Sequence, residues 1–362
     1  MPNSRNNLID FLRIIAISGV FLIHYNDTNE LYNQSNFYKS FIDHGKYGVT
    51  LFFVISGYVI SKIAKTYNFL NFIASRFYRI LIPGYVIIFI INPGDFISTS
   101  LNCFKLIEND QINFIPWFFT LSTEPHCLPN IATGVQWTLA VELQFYLFFG
   151  LVLFYLIKNI NTINNNYKII LITFMIFFII LVSKRQVYDS LVYGFGEEIY
   201  RYRNHLVVSH FEAFFLGIFV YLITITKIKS LSVFSTTSLI IIIFTISFYL
   251  FFRGEDIFSK PLIALASSIA LLISVTDNFF SRSKILNNSF FGLIGRSTYV
   301  FYLIHIVVKE KIENILNYFF NENLIFYQKL ILSYCILIIL SVFLYSLIDK
   351  PIQKLWRMKF KF

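Results

Sequence analysis

Charge is what this chain of 362 residues most lacks. Asp, Glu, Lys and Arg together make up 14% of it, where a soluble globular domain carries about 25%. Apolar residues rise to 56% in compensation, with a mean hydropathy of +0.65. An ordinary soluble enzyme is thereby excluded, and so is disorder, which requires low hydrophobicity. Cysteine is nearly missing: Cys103, Cys127 and Cys335 are all there is. Three are too few for a disulfide scaffold, no CxxC or Cys/His metal spacing occurs, and no metal is expected. Internal repeats and low-complexity linkers are lacking. So is the alternation over about ten residues that marks a transmembrane β-barrel. The N-terminal run carries Asp10 and Arg13 and has no small-residue exit, so it is not expected to be a cleaved signal peptide.

What is present is long, continuous apolar runs rich in the 44 Phe and 23 Tyr. Runs of about 18–24 residues match the length a helix needs to cross a bilayer. The expected fold is all-α: a polytopic membrane bundle of about ten spans in one domain over 1–362, with no appended soluble domain. The spans are expected at 7–26, 47–66, 79–92, 138–158, 168–184, 205–226, 233–252, 260–277, 292–312 and 325–348. The third is short and has room to begin earlier, near Phe72, and a re-entrant or interfacial helix is expected around 114–122.

The net charge of +10 would raise nucleic acid as a partner in a soluble protein. Here basic residues on cytoplasmic loops account for it, and no nucleic acid is expected. Lys62, Lys65, Arg76, Arg79, Lys158, Lys168, Lys227, Lys229, Arg282 and Lys284 fall on one set of loops, followed by Lys350, Lys354, Arg357, Lys359 and Lys361 in the tail. The opposite loops mix signs. The positive-inside rule then puts both termini in the cytoplasm.

An ionisable side chain inside a span is costly and marks a candidate site. The first span, IDFLRIIAISGVFLIHYN, holds Asp10, Arg13 and His24. Arg13 and His24 are eleven residues apart, so they share nearly one helix face with a rise of about 16 Å. Asp10 can pair with Arg13 at i,i+3. Arg snorkelling to the inner headgroups and His at the outer interface is the plain alternative. Arg76 and Arg79, in ASRFYRILIPGY, share a face and could form an anion site with Arg13, or simply anchor the inner side. Glu142, in WTLAVELQFYLFFG, needs a partner or a wet cavity. Ser56-Gly57, in GVTLFFVISGYVIS, allows another backbone close approach. Ser297, Tyr302 and His305 are polar groups in GLIGRSTYVFYLIHIVV, His305 serving equally well as a core histidine. Asp349-Lys350-Pro351 is expected to end the last span, Pro stopping the helix.

Taken in order, these segments resemble the acyltransferase-3 family of integral membrane acyltransferases. The resemblance runs from about residue 8 to residue 351. It rests on the R-x10-H spacing from Arg13 to His24, then GVTLFFVISGYVIS, RFYRILIP, WTLAVELQFYLFF, STYVFYLIHIVV and YSLIDKP. Two positions depart from the family pattern WSLAVEEQFY: Thr138 replaces Ser and Leu143 the second Glu. The family's Glu-x-Pro near the end is here Asp349-Lys350-Pro351.

The resemblance implies a bacterial inner-membrane enzyme. It would move an acyl group, most often acetyl, from cytoplasmic acyl-CoA to a hydroxyl of an envelope glycan or undecaprenyl-linked precursor, such as O-antigen, capsule or exopolysaccharide. His24 would be the base that deprotonates the acceptor. Arg13, Arg76 and Arg79 would hold the CoA phosphates, and Glu142 would orient an imidazole or line the acceptor cavity. Ser56, Tyr302 and His305 would polarise the thioester carbonyl, with His305 also the second candidate for the catalytic base. Direct transfer and a route through an acylated histidine both fit. The rival reading is a transporter or flippase of a glycan intermediate, its buried Arg, His and Glu lining a path.

Two expectations are open to measurement. Cys103 and Cys127 share the long outer loop at roughly 93–137, where a bridge would close about 24 residues and contribute about 3 kcal/mol. Reporter fusions after Lys65 and after Phe362 should both report cytoplasm; an external C-terminus would overturn the ten-span topology.

Overall fold

The computed structural model describes residues 7–26, 42–64, 69–94, 96–98, 137–148, 210–225, 246, 256–276, 289–320 and 325–359. Among them every element is helical. Helix α1 is Asn7–Asn26. A 3-10 turn, His44–Tyr47, leads into α2, Gly48–Ala64. Then come α3 (Phe69–Ile91), α4 (Trp137–Phe148), α5 (Phe211–Ile225), α6 (Asp256–Thr276), α7 (Ser289–Phe320) and α8 (Phe326–Leu344). A π-helical turn, Tyr345–Asp349, joins α8 to α9, Lys350–Lys359.

Five of these segments are long and apolar enough to cross a bilayer: Asn7–Tyr25, His44–Ala64, Phe69–Ile91, Ser289–Phe320 and Phe326–Trp356. They fall on the expected spans at 7–26, 47–66, 79–92, 292–312 and 325–348. The third does begin earlier, at Phe69. Helices α4, α5 and α6 fall on three more of the expected spans. The expected spans at 168–184 and, but for residue 246, at 233–252 lie outside the described residues. So do the helix around 114–122 and both Cys103 and Cys127.

The direction of the helices can be read from their contacts. Gly295 lies against Asp10, and the Lys309 ammonium donates to the His24 carbonyl at 2.6 Å. Both pairs are 285 residues apart, so α1 and α7 run parallel in constant register. Tyr299 donates to the Ile80 carbonyl and Lys311 to the Ile91 carbonyl, at separations of 219 and 220 residues, so α3 runs with them. Helix α8 runs opposite: Ser18 meets Tyr334 at 2.5 Å, while Tyr25 packs on Phe326. An alternating series of spans requires this polarity of its first, third, ninth and tenth members.

Two apolar cores hold the bundle. In one, Phe214 of α5 stacks between Phe145 of α4 at 4.1 Å and Phe53 of α2 at 4.7 Å between ring centroids. In the other, Phe21 of α1 meets Phe301 of α7 and Tyr334 of α8 at 5.9 and 5.3 Å. The close approach expected at Ser56-Gly57 is present. Gly57 faces the Phe214 backbone and Gly217 faces the Val54 carbonyl, each so tightly that a Cβ at either would collide with the other helix. Lipid supplies no hydrophobic drive between apolar helices, so such small-residue contacts carry much of the packing.

One expectation is corrected. Asp349-Lys350-Pro351 does not end the helix: the chain stays helical through Lys359. Pro351 falls in the first turn of α9, where a missing N–H is tolerated. The π turn before it widens the spiral at the carbonyl that a proline ring would otherwise strike. Helix α9 is amphipathic (KPIQKLWRMK), and its Trp356 stacks on Tyr78 of α3 at 4.4 Å.

Gly57→Leu and Gly217→Leu should each lower stability by about 1–3 kcal/mol or more through overpacking. Unfolding of the purified protein in detergent measures this. Wild-type midpoints in both variants would contradict the close α2–α5 crossing.

Candidate functional site

Helices α1, α2, α3, α4 and α7 surround a cavity of about 1020 Å³, open mouth included, with the π turn and α9 closing one end. Local sequence explains which side chains reach it. Arg76 and Arg79 share a face of α3, as their i,i+3 spacing requires, and both line the cavity. On α7, Arg296, Tyr299 and Tyr302 repeat the same spacing and line it too. Arg13 enters from α1, Ser56 from α2, Thr138 and Glu142 from α4, Asp349 from the π turn and Gln353 from α9. Of the residues expected from sequence, Arg13, Ser56, Arg76, Arg79, Glu142 and Tyr302 thus share one space.

Polar groups around the cavity are held in specific ways. Arg13 bonds Asp10 at 3.0 Å, the i,i+3 pair expected, and Asp10 is buried beneath Gly295. Arg76 lies over the Phe72 ring at 5.9 Å and donates to Ser75 Oγ at 3.4 Å. Glu142 accepts from the Ser56 hydroxyl and, at 3.1 Å, from the Tyr146 hydroxyl, with Arg79 and Arg76 as its nearest positive charges. Asp349 accepts from Gln353 at 2.8 Å. Both carboxylates are therefore satisfied by neutral donors. The Ser56 hydroxyl, expected to face a thioester, donates to Glu142 here.

The cavity ends at Tyr302. Its phenol accepts from Thr138 at 2.8 Å, and Phe52 packs on its ring. One turn further along α7, His305 is fully buried and meets His24 with ring centroids 5.3 Å apart. His24 and His305 do not line the cavity; they form a pair just beyond it. The Nδ1 of His305 lies 2.8 Å from the Tyr302 carbonyl. A carbonyl accepts only, so Nδ1 carries the proton and Nε2 holds the lone pair. That Nε2 is buried with no hydrogen-bond partner among the described residues. The two candidate histidines are neighbours.

Two residues of the site escaped the sequence reading. Lys309 is buried, donates to the last turn of α1 at His24, and lies 5.6 Å from the Tyr25 ring. Arg296 lines the cavity. Both obey the rule that an intramembrane charge is a candidate; they were passed over because they flank the more conspicuous STYVFYLIH stretch. Asp349 and Gln353, assigned to a structural tail, are cavity residues as well.

In this helical bundle an arginine-lined cavity leads to a buried histidine pair. The chain belongs to the acyltransferase-3 family: the family model described as "Acyltransferase domain" matches residues 6–349. Curated proteins of Staphylococcus aureus strains COL and N315, each named "Putative O-acetyltransferase", are 29% identical to it over 177 residues. That alignment covers 44% of this chain and 26% of each relative, so the match spans about a quarter of their length. No solved structure matches the chain.

If Ser56 serves Glu142, Ser56→Ala and Glu142→Gln should be coupled by about 0.5–3 kcal/mol in a double-mutant cycle on stability in detergent. Additive effects would separate the two residues.

Proposed function

We propose that this chain is an integral membrane O-acyltransferase. It takes an acyl group, acetyl above all, from cytoplasmic acyl-CoA and delivers it to a hydroxyl of an envelope glycan or its lipid-linked precursor. The observation that carries this reading is one continuous arrangement: four arginines at one end of a cavity and a histidine pair just past the other end. Arg13 and His24 are separated by about 16 Å of helix, a distance an extended pantetheine arm can cover.

In this reading Arg13, Arg76 and Arg79 hold the donor phosphates, since the guanidinium fork suits phosphate oxygens. His24 accepts the proton of the acceptor hydroxyl as its oxygen adds to the thioester carbonyl. Collapse of the tetrahedral adduct breaks the C–S bond and releases CoA thiolate, which takes a proton in turn. His305, its tautomer fixed by the Tyr302 carbonyl, presents its Nε2 lone pair beside His24 and orients or relieves that imidazole. Tyr302 stands between the cavity and the pair, where its phenol can meet the thioester carbonyl once Thr138 yields it. Glu142, held by two hydroxyls, sets the charge of the cavity wall. Both termini in the cytoplasm would place the arginine end at the inner face of the bacterial plasma membrane and the histidine pair toward the outer side.

His24→Ala should abolish acetyl transfer from acetyl-CoA in membranes while the protein stays inserted and folded. Arg76→Ala and Arg79→Ala should raise KM for acetyl-CoA by about tenfold or more, and Lys replacements should rescue only partly. Wild-type transfer in His24→Ala would move the base elsewhere; unchanged KM in both arginine variants would return them to the role of inner anchors. A transporter would move glycan with none of these donor dependences.

A further inference from the structure

The four guanidinium groups of the cavity are not equivalent. Arg13 is committed to the buried Asp10 carboxylate. Arg76 lies against Ser75 and the Phe72 ring. Arg79 and Arg296 have no hydrogen bond or ion pair among the described residues, and the Nε of Arg296 is buried without a partner. Among the described residues the nearby carboxylates make their hydrogen bonds to neutral donors, Glu142 to Ser56 and Tyr146 and Asp349 to Gln353, and neither lies within ion-pair distance of Arg79 or Arg296. Two guanidinium groups in a membrane bundle, both facing the same cavity and neither ion-paired among the described residues, leave N–H donors open to an added anion.

The helix register puts the two together. Helices α3 and α7 are parallel, with Tyr299 on Ile80 and Lys311 on Ile91. At that offset Arg296 stands level with the stretch between Arg76 and Arg79, across the α3–α7 interface. Gly84 leaves the room that lets Tyr299 reach α3 and set this level: a Cβ there would lie 2.8 Å from the phenol oxygen. From Arg296 the same helix rises about 13 Å to His305, close to the distance that separates Arg13 from His24.

We propose that Arg296 is an anion ligand of this cavity and, with Arg79, grips a phosphate ester or diphosphate from two sides. The assignment rests on the donor reading above and names the diphosphate of acyl-CoA as the anion. A two-sided grip from separate helices also sets the angle of the donor, aiming its acyl end along α7 toward Tyr302 and His305. A guanidinium offers parallel N–H donors to one phosphate, which a point charge does not reproduce.

The test is binding of CoA and of inorganic pyrophosphate to the purified full chain in nanodiscs, for wild type, Arg296→Ala and Arg296→Lys. Thermal unfolding without ligand reports whether each variant is folded. Arg296→Ala should weaken CoA about tenfold or more, and Arg296→Lys should fall between it and wild type. Pyrophosphate should follow the same order. Should Arg296→Ala fail to fold, Arg296→Lys decides alone: a severalfold loss supports the fork, and wild-type affinity overturns it. CoA bound equally by wild type and a folded Arg296→Ala overturns the assignment and leaves a lipid phosphate as the anion, with the donor reading intact. Arg296-dependent binding of pyrophosphate without any binding of CoA supports the anion site and removes the donor reading. Binding of neither by wild type overturns both.

Discussion

The parallel contact between α1 and α7 is the constraint on which the site depends. At one end Asp10 packs against Gly295, where only a residue without a Cβ fits; at the other His24 meets His305 and Lys309. Both ends keep the same offset. A slip of one helical turn, about 5.4 Å, would part the imidazoles and drive Asp10 into side chains instead of Gly295. The close glycine crossing of α2 and α5 sets the opposite wall, fixing Ser56 in reach of Glu142.

Within that frame the character of the cavity changes along the helix axes. Guanidinium groups gather at one end, on neighbouring turns of three helices. Toward the middle, the polar groups become neutral hydroxyls: Thr138, Tyr299 and Tyr302. Past Tyr302 the imidazoles sit in a setting of Phe301, Phe21 and Tyr334. In the proposed reaction this gradient suits a donor whose phosphates are charged and whose thioester is not. The Thr138–Tyr302 bond marks the boundary the donor has to cross.

Much of this could be read from residues alone, and the exceptions have physical reasons. The Asp10–Arg13 pair and the common face of Arg76 and Arg79 follow from helical spacing, which is a local property. Membrane helices announce themselves by length and composition, so the long spans were legible. The His24–His305 contact joins residues 281 apart, and no periodicity encodes which helices become neighbours. Glu142 announced a need for partners but not that Ser56 and Tyr146 would meet it. At Asp349-Lys350-Pro351 a local rule is overridden: a π turn precedes the proline and makes room, and Pro83 and Pro261 likewise lie inside helices that continue past them. Arg296 and Lys309 were legible by the rule applied to Arg13, and only the prominence of their neighbours hid them.

The central claim is a directed path from the arginine end of the cavity to the histidine pair. A structure of the full chain in a lipid nanodisc with CoA bound tests it most directly. The account predicts the diphosphate against Arg79 and Arg296 and the thiol end beyond Tyr302, within reach of His24 and His305. CoA lying outside the cavity, or inside it with the thiol directed away from the two histidines, would contradict it.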